Sequence, residues 1–219
     1  MQAVLSLYRT TIGRKVAMAV TGALYLGFVL AHMLGHLIAF AGSEAYNAYA
    51  AALQANAGLV WTVRVVLLAA IVIHVASAIS LVKANAAARP VAYAGGRKDV
   101  RTTAAAKTMR FGGIFLLFFL VYHILHFTVG VAHTDFVKGD VFGNMVTAFQ
   151  NPLVTGVYLL AMAALYLHLS HGTWSFLQTL GFGGPDEDDP RKKVAMAFSV
   201  VVTLGFVSVP VAILTGIIS

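Results

Sequence analysis

Five apolar stretches dominate this sequence, and each of them is long enough to cross a lipid bilayer as an α-helix. They cover roughly residues 16–40, 60–82, 109–132, 153–178 and 194–218, and one helical span needs only ~20 residues. Only 11% of the residues are charged, against roughly 25% in a soluble domain. The sequence therefore predicts an all-α fold: an integral membrane bundle of five transmembrane helices, with residues 1–219 as one domain.

The absence of cysteine limits the redox chemistry that this chain can carry by itself. Disulfides, thiolate-ligated iron–sulfur clusters and covalently attached c-type haem all require cysteine, so they are excluded within the chain. Any tightly held redox cofactor must use other side chains.

Lysine and arginine are unevenly distributed around the spans, and this distribution predicts the orientation. Arg64, near the start of the second span, and Lys138 fall on one side, and the other basic residues of the fifteen fall on the opposite side. The N-terminus is therefore predicted to be cytoplasmic and the C-terminus outside. The net charge of +7 is then explained by the orientation of the chain in the membrane, and we expect no nucleic-acid partner. The cytoplasmic set is Arg9, Arg14, Lys15, Lys83, Arg89, Arg97, Lys98, Arg101, Lys107, Arg110, Arg191, Lys192 and Lys193.

Two local features predict structure at the span ends. The loop of residues 41–59 is small and weakly polar, so we expect it to be partly helical at the membrane interface. Asp189 followed by Pro190 is typical of a helix start, with the carboxylate as cap and proline in the first turn.

Every histidine except His133 lies inside an apolar stretch. An ionisable residue in a span is costly and usually faces the bundle interior or a functional path. A single such histidine could be a hydrogen-bonded core residue, but this many on four of five spans indicates function. The residues are His32, His36, His74, His123, His126, His168 and His171.

Depth along the spans sorts four of these histidines into two pairs. With a rise of ~1.5 Å per residue, His32 and His123 fall in the outer half of outward-running spans. His74 and His168 fall in the inner half of inward-running spans, roughly 10–15 Å from the first pair. Paired neutral imidazoles in an apolar interior suit axial ligation of haem iron, so we predict two haem b groups that carry electrons.

The remaining histidines in the spans each lie one helical turn after a proposed ligand, so the sequence does not decide which of the two histidines is the ligand. His36, His126 and His171 each follow a proposed ligand by three or four residues and share its helix face. They could contact haem propionates, form hydrogen bonds, handle protons near a quinone, pack passively, or replace their neighbours as ligands. The role of His133 stays open.

Four basic residues lie near span ends, where haem propionates would point. Each is a candidate propionate partner, and each could instead be an anchor that snorkels to the interface. They are Arg14, Lys15, Arg64 and Arg110.

Four segments carry a family resemblance: "IGRKVAMAVTGALYLGFVLAHMLGHL", "GSEAYNAYAAAL", "TMRFGGIFLLFFLVYHILHF" and "LHLSHGTWSFLQTLGF". Together they resemble the membrane-anchor cytochrome b subunits of succinate:quinone oxidoreductases and fumarate reductases, of the single-chain, five-helix, diheme type. The resemblance implies that His32 and His123 ligate the outer haem, and that His74 and His168 ligate the inner haem. One departure is His36, where the family often has asparagine.

The resemblance also implies partners and a reaction. A flavoprotein subunit would oxidise succinate, and an iron–sulfur subunit would deliver the electrons, both docked on the cytoplasmic face of a bacterial inner membrane. The acceptor would be a quinone, menaquinone in most five-helix members, bound near the outer haem. Glu44 could handle protons there, or it could be a plain interfacial carboxylate. A quinone site near the inner haem, the direction of turnover and a higher-order oligomer of the complex stay open.

Three alternatives remain at this point, and the intact set of four histidines argues against one of them, a structural anchor that has lost its haem. Another respiratory dehydrogenase could use a diheme cytochrome b anchor, although such anchors place the histidines differently and would not show "HGTWSFLQTLGF". A transporter could use histidines for a metal ion or protons, but a metal path favours carboxylates and the first four spans contain no Asp or Glu.

Overall fold

The computed structural model describes residues 2–88, 103–182 and 189–219. Most residues in these ranges are helical and none of them forms a β-strand, so the all-α prediction is confirmed. Arg89, Arg97, Lys98 and Arg101 of the predicted cytoplasmic loop lie outside the described residues. The helices are α1 (Gln2–Arg9), α2 (Thr11–Leu37), α3 (Ser43–Ala55), α4 (Ala57–Ala87), α5 (Ala104–His123), α6 (Val141–Gln150), α7 (Pro152–Thr179) and α8 (Pro190–Leu214).

Among the described residues, five helices are long and apolar enough to cross a membrane, which confirms the predicted number of spans. They are α2 with its 3₁₀ continuation to Ala41, α4, α5 with its continuation to Val129, α7 and α8. Asp189 accepts a hydrogen bond from the backbone of Arg191, and Pro190 stands in the first turn of α8, as the sequence indicates.

Most span ends differ by a few residues from the sequence prediction, and local caps explain three of these differences. The first span begins at Thr11 because the Thr10 side chain accepts a hydrogen bond from the Gly13 amide and starts the helix early. The third ends at Val129 and the fifth at Leu214. Gly130 (φ 83°) and Gly216 (φ 76°) adopt the left-handed conformation that terminates a helix.

The long helices pack unevenly, and α2 is central. It packs against α4, α7 and α8, while α7 packs against α5 and α8. Within the described ranges, α2 with α5 and α4 with α7 are not among the closely packed helix pairs. Two gaps therefore remain between helices that face each other across the bundle.

Short helices close one end of the bundle, which we call the α3/α6 end. The side chain of Asn47 on α3 donates a hydrogen bond to Asp140 (2.9 Å) and accepts one from the Phe142 amide (2.9 Å). Asp140 also caps α6 by accepting from the Gly143 amide (2.9 Å). The predicted helical character of residues 41–59 is confirmed by α3, whereas α6 was not anticipated.

The opposite end, which we call the α1 end, carries α1 across α2 and α4. The hydroxyl of Tyr8 lies 3.2 Å from the hydroxyl of Ser77 on α4. Ser77 is fully buried, so this contact fixes the short helix against the bundle. The two ends are thus structurally distinct, and each lies closer to one of the histidine pairs.

The third span changes its helical geometry immediately after His123. Residues Ile124–Val129 form a π-helical turn before the chain leaves the bundle. Such wide turns are rare and are found frequently at functional sites. Here the turn contains His126, which is 2% exposed.

Candidate functional site

The structure brings His32 on α2 beside His123 on α5. Their ring centroids are 5.9 Å apart and the ring planes are nearly perpendicular, at 80°. Phe28 stacks on the other side of His32, with centroids 5.3 Å apart. The two imidazoles therefore face each other across the gap between α2 and α5.

The structure brings His74 on α4 beside His168 on α7 in a similar way. Their ring centroids are 6.4 Å apart and the planes are inclined at 54°. Gly22 and Gly113 flank these rings, and a Cβ at either position would lie within 4 Å of an imidazole carbon. Small residues therefore leave the space around this pair open.

Both separations fit two imidazoles on opposite sides of one metal ion. A metal–imidazole bond is about 2 Å long and the ring centre lies about 1 Å further, so two axial rings have centres about 6 Å apart. The observed 5.9 and 6.4 Å agree with that value. The residues present therefore fit the bis-histidine haems that the family resemblance implies.

A hydrogen bond from the neighbouring helix assigns the tautomer of His74. The Thr21 hydroxyl donates its proton to the Ala17 carbonyl (2.7 Å), and its oxygen lies 3.1 Å from Nδ1 of His74. Since that proton is already used, Thr21 can only accept from His74, whose proton must be on Nδ1. Nε2 of His74 then keeps a free lone pair, which a metal ligand needs.

His168 has a buried ring nitrogen without a partner among the described residues. Its Nδ1 is among the few buried side-chain atoms with no hydrogen bond to the described residues. A small cavity adjoins the ring, lined by Thr108, Met109, Gly112, Ala164 and Leu167. An unpaired buried polar atom is costly in an apolar interior, so a partner other than the described residues would stabilise this ring.

Tyr158 on α7 connects two histidines at the other pair. Its hydroxyl lies 3.3 Å from Nδ1 of His123 and 3.0 Å from Nδ1 of His126. Tyr158 is 5% exposed, so these contacts are sheltered from lipid and water.

The other histidines have different surroundings. Nδ1 of His36 lies 2.8 Å from the hydroxyl of Tyr46 on α3, and burial raises the pKa of that phenol, which keeps it neutral. His133 donates from Nε2 to the Asn144 carbonyl (2.7 Å) and packs on His126, with ring centroids 4.8 Å apart. Within the described part of the chain, His171 makes no hydrogen bond.

Comparison with known protein families identifies the family of this chain. The family model described as the succinate dehydrogenase/fumarate reductase transmembrane subunit matches residues 98–208, which is half of the chain. The chain belongs to this family. The search of curated proteins and the search of solved structures returned no match.

Family membership confirms the resemblance seen in the sequence. The chain is a multi-pass membrane subunit of a succinate dehydrogenase/fumarate reductase complex. The matched region contains one histidine of each pair, His123 and His168, whereas His32 and His74 lie before it.

In the described part of this transmembrane subunit, the charged candidates form no hydrogen bond or ion pair with the imidazole pairs. The guanidinium of Arg64 lies over the ring of Trp61, 5.1 Å from its centroid, as expected for a cation–π contact at an interface. Arg14 is half-buried, and Lys15, Arg110 and Glu44 are exposed. Among the described residues, none of the five forms a hydrogen bond or ion pair with a histidine.

Sequence reasoning missed the hydroxyl groups that contact the histidines of this subunit. Thr21, Tyr46 and Tyr158 each lie within hydrogen-bond reach of a ring nitrogen. The available signal was a hydroxyl in or beside an apolar span, since such groups usually bond across helices. Spacing alone does not reveal which histidine each hydroxyl meets.

Proposed function

We propose that this subunit anchors a succinate:quinone oxidoreductase in the membrane. It passes electrons from an iron–sulfur subunit, through two b haems, to a quinone. Menaquinone is the expected acceptor. The observation that carries this proposal is the presence of two facing imidazole pairs whose centroids are 5.9 and 6.4 Å apart. Both separations suit axial ligation, and the family is one of succinate and fumarate oxidoreductases.

In this proposal, His32 and His123 hold one haem, and His74 and His168 hold the other. With two imidazoles holding each group, the haems would supply one-electron transfer. Thr21 supports this role because it keeps the proton of His74 on Nδ1. Arg14, Lys15 and Arg110 near the α1 end, and Arg64 at the opposite end, are the proposed propionate partners.

The charge distribution supports an orientation with the α1 end in the cytoplasm. Arg14, Lys15, Lys107 and Arg110 are all near that end, whereas Arg64 lies near the start of α4 at the other. Positive charge near span ends favours the cytoplasmic side. The flavoprotein and iron–sulfur subunits would then dock at the α1 end of a chain in the bacterial cytoplasmic membrane.

We place the quinone at the α3/α6 end, near His32 and His123. Glu44 lies in the first turn of α3 and is exposed, two residues before Tyr46, whose hydroxyl contacts His36. An exposed carboxylate next to a buried tyrosine–histidine pair suits proton transfer to a reduced quinone. A quinone at the α1 end, close to the docked iron–sulfur subunit, is the competing location.

The proposal is tested on the purified complex by a reduced-minus-oxidised spectrum, with succinate as the reductant. We expect absorbance of two b haems per transmembrane subunit, reduced by succinate and reoxidised by a menaquinone analogue. Reduction by hydrogen or formate instead would favour another respiratory dehydrogenase. A colourless protein would contradict the proposal and favour a transporter.

A further inference from the structure

Tyr158 occupies a position at which it can control two neighbouring histidines. Its ring packs among Phe119, Phe127 and Phe149, with centroids 5.0 to 5.7 Å away. This aromatic packing fixes the ring, so the hydroxyl stays between Nδ1 of His123 and Nδ1 of His126.

The hydroxyl has a single proton, and this limits the arrangements that the three groups can adopt. If Tyr158 donates to His126, it can accept from His123, whose proton is then on Nδ1 and whose Nε2 is free. If Tyr158 donates to His123, the proton of His123 is on Nε2, and that nitrogen has no lone pair for a metal. When the hydroxyl donates its proton to one of the two neutral histidines, only the other can offer Nε2.

The ring geometry selects between these arrangements. His123 faces His32 across the gap, with centroids 5.9 Å apart, whereas His126 packs against Tyr122 and His133. Among the described residues, His32 forms no hydrogen bond. Tyr158 is therefore the only described side chain that orients an imidazole of the His32–His123 pair by hydrogen bonding. The corresponding contact at the other pair is made by Thr21.

We propose that Tyr158 is a positioning residue that accepts a hydrogen bond from Nδ1 of His123 and donates one to His126, so that His123 and not His126 presents Nε2 to the haem iron. This inference rests on the proposed function and adds to it a residue that sets the ligand register and the electronic properties of one haem.

The expected electronic effect has a definite direction. An imidazole whose N–H is hydrogen-bonded to an acceptor is a more basic ligand, and ligand basicity and hydrogen bonding near the metal tune its potential. A more basic ligand favours the oxidised iron. Removing the Tyr158 hydroxyl should therefore raise the reduction potential of the haem held by His123.

The test compares Tyr158→Phe with Tyr122→Phe in the intact complex. Tyr122 stacks on the same histidine, with its ring centroid 5.1 Å from that of His126, and its hydroxyl makes no hydrogen bond among the described residues. The readouts are the two haem midpoint potentials from a spectroscopic redox titration and the low-spin ferric signals in electron paramagnetic resonance. The affected haem is identified as the one lost in His123→Ala.

We expect Tyr158→Phe to raise the potential and shift the ferric signal of that haem alone, while Tyr122→Phe leaves both haems as in the wild type. An unchanged potential and signal in Tyr158→Phe would overturn the inference. If Tyr158→Phe does not assemble, His126→Leu decides. His126→Leu removes the acceptor of the Tyr158 proton, so it should raise the potential of the same haem by a smaller amount. An unchanged potential in His126→Leu would overturn the inference.

These outcomes are separable from a failure of the proposed function. A wild-type complex that holds no haem contradicts the proposed function itself. A wild-type complex with two haems whose properties do not respond to Tyr158 or His126 contradicts only the positioning role.

Discussion

Nδ1 of His74 lies 3.1 Å from the hydroxyl oxygen of Thr21, on the helix packed against α4. The contact joins a buried imidazole to a hydroxyl whose own proton is used by the Ala17 carbonyl. Since Thr21 has no other proton to donate, this relationship defines which nitrogen of His74 is available to a metal. It also suggests a conservative substitution that removes one hydrogen bond with little change in shape.

We predict that Thr21→Val weakens haem binding at the His74–His168 pair. Valine keeps the shape of threonine but leaves Nδ1 of His74 without an acceptor, and such losses cost about 10–100-fold in metal affinity. Haem content after dilution in detergent measures the change. Thr62→Val is the matched control, because the Thr62 hydroxyl bonds only to the Gly58 carbonyl at an exposed position. Equal haem retention in the two variants would contradict the assignment.

We predict that Gly205→Ala destabilises the bundle where α8 approaches α2. A Cβ at Gly205 would overlap the side chain of Met33, which is 3% exposed. Overpacking of this kind costs about 1–3 kcal/mol. Thermal unfolding in detergent measures the loss, and Gly156→Ala is the control, since nothing lies within 4 Å of a Cβ there. A Gly205 variant as stable as the control would show that α8 does not approach so closely.

We predict that Asp140→Ala loosens the α3/α6 end. The substitution removes the cap of α6 and the hydrogen bond from Asn47, and loss of an N-cap costs about 0.5–2 kcal/mol. Amide hydrogen exchange of residues 141–150 should accelerate. Unchanged exchange in this helix would contradict the role of the cap.

The pH dependence of this cap has a defined sign. The Gly143 amide, followed by the Asn47 side chain, holds the pKa of Asp140 below its usual range. The contribution of Asp140 to stability is therefore present above the unfolded pKa of about 3.9 and is lost as the pH falls through the lower folded value. Asp140→Asn should keep most of the cap and lose this acid sensitivity, as measured by unfolding at a series of pH values.

We predict that Glu44→Gln slows quinone reduction by about 10²-fold, the lower range for a positioned proton-transfer group. Glutamine keeps the size of the side chain but cannot carry the proton. Succinate-dependent reduction of the haems should be unchanged, and Glu44→Asp should restore part of the quinone turnover. Normal turnover in Glu44→Gln would move the quinone site away from this end of the bundle.

The long-range layout of this subunit could be predicted from the sequence because lipid imposes strong rules. Spans of fixed length and a fixed rise per residue predict depth, and depth alone groups His32 with His123 and His74 with His168, which are the rings that the structure brings together. The ligand role of these rings stays a prediction. The first and fifth spans begin at the caps formed by Thr10 and Asp189. Only the Asp189 cap was predicted from the sequence.

The finer features of the site depend on helix rotation, which hydropathy does not specify. The π-helical turn after His123 and the helix Val141–Gln150 arise from local backbone and capping interactions. Tyr158 lies 35 residues from His123 in the chain, and its hydroxyl meets that ring only because α5 and α7 pack in one particular rotation. Contacts of this kind require the three-dimensional structure.

The most direct test of the central claim is the haem content of paired double variants. If each haem is held by one facing pair, His32→Ala combined with His123→Ala removes the same haem as either single change and leaves one per chain. His32→Ala combined with His74→Ala disrupts both pairs and leaves none. Haem counts that do not follow this pattern, such as no haem in the first double variant or one in the second, would contradict the account.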